Sequence, residues 1–349
     1  MLKKILKIIL WIVGVVAGLV VLLLLSIWIS SGNTPEGGTK IAKKGWAEIG
    51  GIKQGYFIRG EDERNPVILF LHGGPGSPEL SMIKDTELEK YFTICYWDQR
   101  GAGMTFDSDT DPATMNTAQL VEDTQQITDS LRSWYGVDKV YLMGHSWGSF
   151  LGIKTIGKYP ELYHAYIGIG QVCHQLESER LAYDYLVAQA REAGDTGTVE
   201  AFAAYDKNSN DFPSNEYLLK VRTIAMNKYG VGIKHKDISM LDIAKDLLYY
   251  QGYTLGEKLN YLRGTMFSLN MFHEVIDDNL FETSTRFEIP IYIIQGKYDY
   301  QVSYDLAKEY LDSIDAPKKA FFTFDESAHS PNLEEPERFV EVVRSIAKQ

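Results

Sequence analysis

Residues 140 to 148 read VYLMGHSWG: an apolar run, Val140-Tyr141-Leu142-Met143, leads straight into a serine set between two glycines. A short unbroken apolar run suits a strand buried on both faces of a sheet, and the stretch Phe150 to Tyr159 beyond it has a helical pattern. Ser146 therefore falls on a sharp turn from strand to helix. In such a turn the strand and helix approach closely, so a Cβ two residues before or after the serine would clash; Gly144 and Gly148 have a steric reason to be glycine. A serine hydroxyl attacks only when a base takes its proton and the turn holds it clear of the sheet, and this arrangement supplies the second condition. Ser146 is the candidate nucleophile.

Working outward, further apolar runs occur at Val67 to Leu71, Phe92 to Trp97, Ala165 to Gly170, Ile289 to Gln295 and Ala320 to Phe324. Trp46 to Gly50 and Ile52 to Arg59 flank a Gly50-Gly51 pair, the pattern of a hairpin. Thr117 to Tyr135 places Leu120, Ile127, Leu131 and Trp134 at helical spacing. Strands alternating with helices predict a doubly wound, mostly parallel α/β sheet. The connection Val172 to Glu288 runs 117 residues, whereas about 12 to 20 would return the chain to the sheet. It reads as a helical cap, with helices expected at Glu177 to Ala193, Asn215 to Tyr229, Ser239 to Tyr250 and Leu255 to Asp277. The expected organisation is thus a membrane segment over 1–29, a linker over 30–40, an α/β core over 41–171 and 289–349, and a cap over 172–288.

The partners of Ser146 belong on loops after later strands, in the order serine, acid, histidine. Asp299, in GKYD after the run Ile291 to Gln295, fits the acid, and His329, in DESAHS after the last run, fits the base. Asp325 is the rival carboxylate. Of the seven histidines, His164, His174, His235 and His273 fall in helix-like or cap segments and read as structural. His72-Gly73-Gly74-Pro75-Gly76 follows a buried strand, where backbone N–H groups could meet a developing oxyanion. Pro75 has no N–H, which leaves Gly73 or Gly74; Gly74 is taken as the donor, paired with the N–H of Trp147.

HGGPG, YWDQRGAG (Tyr96 to Gly103) and GHSWGS together resemble the prolyl aminopeptidase (proline iminopeptidase) family of α/β hydrolases, and the likeness in layout runs from Ile41 to the C-terminus. The resemblance implies an α/β-hydrolase fold and a serine peptidase that releases N-terminal residues, often proline. It implies Ser146, Asp299 and His329 as triad, Gly74 and Trp147 lining the oxyanion hole, and a scaffold role for Asp98 and Arg100. Members of that family usually recognise the free amine through cap glutamates, one of them in a Trp-Glu motif, and this cap contains no tryptophan. Glu177 and Glu179, in QLESER, are the candidate replacements; solvated charges on the first turn of a helix are the alternative.

Ile8 to Ile29 carries no charge over 22 residues, which at about 1.5 Å per residue spans a bilayer core. Lys3, Lys4 and Lys7 precede it, and Trp11 and Trp28 lie near its ends, so an uncleaved single-pass anchor is expected with a cytoplasmic N-terminus and the catalytic domain extracytoplasmic. A cleaved signal peptide would need a shorter apolar region and a small-x-small site, for which Ser26-Ile27-Trp28-Ile29-Ser30 is a poor match. Ser30 to Lys40 has the composition of a flexible tether. Net charge is −12, which repels a phosphate backbone and excludes nucleic acid as a partner. Cys95 and Cys173 show no metal-ligand spacing, and Gly168-Ile169-Gly170 lacks the third glycine of a dinucleotide fingerprint. Neither metal nor cofactor is expected. The expected partners are a small peptide or ester substrate and, through the N-terminal helix, the membrane. The leading function is a membrane-tethered serine aminopeptidase; a carboxylesterase or lactonase using the same triad, and a non-catalytic surface binding protein, are the alternatives.

Overall fold

The computed structural model describes residues 2–32, 40–80, 87–236 and 239–348; most of the expected linker lies outside them. Eight strands form one sheet: β1 (Ile41–Ile49), β2 (Ile52–Gly60), β3 (Val67–Leu71), β4 (Thr93–Trp97), β5 (Val140–His145), β6 (Tyr163–Ile169), β7 (Ile291–Gly296) and β8 (Lys319–Phe324), in the order β1-β2-β4-β3-β5-β6-β7-β8. β1 and β2 make the hairpin across Gly50-Gly51, β2 pairs antiparallel with β4, and every later pairing is parallel. The strands read as apolar runs because both faces are covered. One layer buries Leu69, Leu142, Phe150, Ile153 and Ile293, the other Phe70, Met143, Ile167 and Ile294.

The helices follow in chain order: α1 (Leu2–Ile29), α2 (Thr117–Tyr135), α3 (Trp147–Lys158), α4 (Gln175–Glu192), α5 (Thr196–Ala203), α6 (Thr223–Tyr229), α7 (Met240–Tyr249), α8 (Leu255–Ser268), α9 (Phe272–Asp277), α10 (Leu280–Thr283), α11 (Tyr304–Ser313), α12 (Pro331–Glu334) and α13 (Pro336–Ala347). Local sequence fixes their ends. Asn116 accepts from the Gln119 N–H to start α2, and Gly136, left-handed, stops it. Thr254 and Glu257 close a capping box on α8.

α4 to α10 form the cap, which has its own apolar centre of Leu186, Phe202, Tyr217, Met226 and Val231. Three differences from the sequence expectation stand out. Thr196–Ala203, capped by Asp195, is a helix where none was expected. The single helix expected over Leu255 to Asp277 breaks at a 3₁₀ turn, Leu269–Met271, because the chain bends there to bury Met271 and Val275 against the sheet. Within Asn215 to Tyr229 the first turns are a π-helix, Tyr217–Arg222. That wider turn lets two side chains five residues apart, Tyr217 and Arg222, both face inward.

α1 is long and apolar enough to cross a membrane, with a mean hydropathy of 3.2 over its most apolar window and none of that window buried. Its last turn meets the cap: Ile27 is buried, Ser26 Oγ lies 3.2 Å from Tyr249 Oη, and the Gly32 N–H donates to the Tyr253 carbonyl at 3.2 Å.

Candidate active site

Ser146 caps α3 with φ 54° and ψ −122°, and among the described residues it is the one non-glycine with positive φ. Such backbone strain, of order 1–3 kcal/mol, persists where the surroundings over-determine it. They do so here. A Cβ on Gly144 would overlap the carbonyl of Gly148, and one on Gly148 would overlap the carbonyl of Leu71. The Ser146 N–H donates to the Ile169 carbonyl at 2.9 Å, so the turn is pinned between β3 and β6.

Asp299, 1% exposed, sits in the turn after β7, and its Oδ1 accepts from the backbone N–H groups of Gln301 and Val302 at 2.9 and 3.0 Å. Its Oδ2 accepts from Gln295 Nε2 at 2.8 Å and lies 2.8 Å from His329 Nδ1. Since a carboxylate only accepts, Nδ1 carries the proton and Nε2 is left as the ring's acceptor. Nε2 is buried and has no partner among the described residues. The ring of His329 lies against Gly170, at the end of β6, where a Cβ would come within 2.8 Å of its Cε1 and Nδ1. The rival acid Asp325 is exposed and faces Arg338 at 3.5 Å.

The loop after β3 distinguishes the two candidate donors. The Gly73 N–H is already committed to Glu79 Oε1 at 2.8 Å, which leaves Gly74. Gly74, Ser146 and Trp147 share one cavity with Val172, Gln175, Arg222, Phe272, Val275, Gln301 and Val302. Trp147 opens α3, so its N–H belongs to the turn whose donors have no helical acceptor.

Behind the serine stands a pair that motif reading passed over. His145 Nδ1 lies 2.7 Å from Glu79 Oε1, and its Nε2 lies 2.9 Å from the His329 carbonyl; the two imidazoles are 4.8 Å apart between centroids. Both His145 nitrogens thus face acceptors, an arrangement satisfied by an imidazolium beside a carboxylate. Burial alone would depress the His145 pKa, yet Glu79 raises it; burial would raise Glu79, yet His145 and the Gly73 N–H hold it below its ordinary value. The pair ties the loop bearing Gly73 and Gly74 to the loop bearing His329. The sequence signal was the polar His145 closing an otherwise apolar strand.

The loop Asp98 to Gly103 braces the same region. Gln99 donates to the His72 carbonyl at 3.1 Å and accepts from the Trp147 indole at 3.0 Å. Arg100 grips Asp123 at 2.7 Å, and Asp98 takes the Met104 N–H and the cap's Tyr253 hydroxyl at 2.8 and 3.0 Å. Burial, partly offset by those bonds, pushes the Asp98 carboxyl up to about 7.

The two cap glutamates lie apart. Glu177 is at the surface beside Arg180. Glu179 is fully buried, held by Arg222 through Nε at 2.9 Å and Nη2 at 2.8 Å and by Gln175 Nε2 at 2.9 Å. Burial raises the Glu179 pKa, against the pull of Arg222. Neither glutamate lines the cavity of Ser146, whereas Gln175 and Arg222 do. Among the described residues no group of three His, Cys, Asp or Glu is placed to hold a metal.

Comparison with known proteins agrees with this layout. Residues 66–336 match the model of the alpha/beta hydrolase fold family. The chain is 31% identical over 305 residues to the Bacillus subtilis protein named "Probable aminopeptidase YbaC", covering 86% of this chain and 94% of that one. It is 23% identical to a proline iminopeptidase of Saccharolobus solfataricus, over 90% and 96% of the two chains. A solved proline iminopeptidase of Mycobacterium smegmatis superposes with a TM-score of 0.63 at 20% identity, covering 87% of this chain and 97% of that one. The strained turn at Ser146, the mostly parallel sheet beneath it and these matches lead to one conclusion: the chain belongs to the alpha/beta hydrolase fold family, alongside relatives named aminopeptidase and proline iminopeptidase.

Proposed function

We propose that this protein is a membrane-anchored serine aminopeptidase that releases N-terminal residues from short peptides. The observation that carries the reading is the buried His329 imidazole, bound at Nδ1 by Asp299 and unpartnered at Nε2, with its ring 4.8 Å from that of His145, the residue before the strained Ser146. Ser146 Oγ attacks the scissile carbonyl while His329 Nε2 takes its proton, and Asp299 holds the ring in the tautomer this requires. The new C–O bond pushes the carbonyl electrons onto oxygen, where the N–H groups of Gly74 and Trp147 receive them. Collapse breaks the C–N bond; the leaving amine takes the proton back from Nε2. Water, deprotonated by the same nitrogen, then releases the acid and restores the serine.

The α1 helix, with Lys3, Lys4 and Lys7 in its first two turns, would hold the catalytic domain at the outer face of the membrane. Its contact with the cap at Tyr249 and Tyr253 fits a short tether. A second reading, an esterase or lactonase using the same triad, draws on one feature: Arg222, which lines the cavity, neutralises the buried cap glutamate Glu179. Turnover of alanyl and prolyl arylamides against short acyl esters by wild type and Ser146→Ala tests both. The aminopeptidase reading expects preference for the free-amine substrates and loss of about 10⁶ in the variant, the size seen when a triad acts as a unit. A Ser146→Ala protein within tenfold of wild type would end the mechanism, and a preference for acyl esters would transfer the assignment to the second reading.

A further inference from the structure

The Gln175 side chain has one end satisfied and one end not. Its Nε2 donates to Glu179 Oε1 at 2.9 Å and to the Gln301 carbonyl at 3.0 Å. Both partners are acceptors, so turning the amide over would set oxygen against oxygen twice; the orientation is fixed by chemistry. Oε1 is the amide atom left over, and it is buried without a partner among the described residues. The residue is 2% exposed and lines the cavity that holds Gly74, Ser146 and Trp147. A buried acceptor left without a donor is costly, a demand that a ligand carrying a donor would meet.

The charge around this acceptor is not that of an ammonium site. Glu179, the buried carboxylate nearby, is bound bidentately by Arg222, and the Arg222 Nη2 also donates to the Gln301 carbonyl at 3.1 Å. Arg222 lines the same cavity. Gln175 is the first residue of the 18-residue helix α4, whose N-terminal end carries partial positive charge. A cation placed against Gln175 Oε1 would therefore face a guanidinium and a helix N-terminus, with the Glu179 carboxylate already taken by Arg222.

We propose that Gln175 is a specificity-determining residue that reads an uncharged hydrogen-bond donor on the acyl part of the substrate, so that α-hydroxyacyl compounds are substrates alongside α-aminoacyl ones. This rests on the serine-hydrolase reading above and sharpens its substrate class: the α-amine is recognised as an N–H donor and not as a positive charge. The test is a series of equal size, the alanyl, lactyl and propionyl p-nitroanilides, assayed on the full-length protein in detergent or bilayer discs. The expected result is a kcat/KM for the lactyl compound within tenfold of that for the alanyl compound, with the propionyl compound, which has no donor, at least about tenfold below both. Gln175→Leu should bring all three within about threefold by lowering the first two. Gln175→Glu, which adds a carboxylate, should raise the alanyl to lactyl ratio at least about tenfold, a gain that a folding defect does not produce.

Equal rates for propionyl and lactyl compounds in wild type, or an alanyl rate more than tenfold above lactyl, would overturn the proposal. So would turnover of none of the three by a protein whose Ser146 is still labelled by a fluorophosphonate. Loss of that labelling would instead sink the serine-hydrolase reading itself.

Discussion

Two buried carboxylates, Glu79 at the rim of the sheet beside Ser146 and Glu179 in the cap, are each matched to a cation, yet they do different things. Glu79 and His145 join two loops: one bears Gly74, the proposed oxyanion donor, and the other His329, the proposed base. Glu179 and Arg222 join α4 to the π-turn before α6 and leave the cavity wall without net negative charge. Under the proposed mechanism the rim pair positions the groups that react, whereas the cap pair sets the charge of the wall they face. An ion pair's role is thus set by what its remaining hydrogen bonds hold, not by its burial.

The largest effect expected concerns the rim alone. Asp299→Asn keeps the shape of the turn but lets His329 adopt the wrong tautomer, and kcat should fall by about 10⁴. Steady-state kinetics on a folded variant checks this, and a loss under tenfold would remove Asp299 from the mechanism.

Breaking the cap pair comes next. Glu179→Gln leaves the Arg222 guanidinium buried without a counter-charge and should cost about 3–5 kcal/mol in denaturant unfolding, while Glu179→Leu combined with Arg222→Met should recover most of that. If the single change costs no more than the double, the pair is not what holds the cap.

A smaller effect separates the rim pair by pH. Glu79 is held below its ordinary value of 4.5, so the stability it contributes is present above that pH and is lost as pH falls through the folded value. His145 is held above its ordinary 6.5, so its contribution is present below that pH and is lost as pH rises through the folded value. The pair is therefore strongest between about pH 4.5 and 6.5. Glu79→Gln should flatten the fall in Tm on both flanks. A neutral His145 can donate only one of its two bonds, so the His329 carbonyl loses its partner and kcat should drop about tenfold. An unchanged pH profile of both Tm and kcat would contradict the positioning role. Last, Asp325→Asn, at the exposed end of β8, should leave kcat within twofold of wild type; a larger loss would reopen the choice of acid.

The candidate residues at the rim stood out in the sequence because their signals are short motifs. Gly144 is crowded by the Gly148 carbonyl within its own turn, and although Gly148 is crowded by Leu71 of β3, both glycines bracket Ser146 in one five-residue stretch; Asp299 and His329 each follow a recognisable buried strand. The hairpin at Gly50-Gly51 and α2 from Thr117 to Tyr135 were legible for the same reason: turn glycines and helical spacing need no distant partner. The cap resisted. Its helices pack on one another through Tyr217, Phe202 and Leu186, so the break at Leu269 and the π-turn at Tyr217 answer to contacts far along the chain. Glu179 looked like a ligand for an amine in sequence, but its partner Arg222 is 43 residues away and no spacing rule links them. Glu79 escaped notice because its role depends on reaching His145, 66 residues on.

The central claim is that Ser146 is a nucleophile activated by His329. A fluorophosphonate probe followed by peptide mass spectrometry tests it directly: the account predicts a single phosphonyl adduct on Ser146, formed at least about a hundredfold more slowly in His329→Ala. No adduct at Ser146 in wild type, or one that forms as fast without the imidazole, would contradict it.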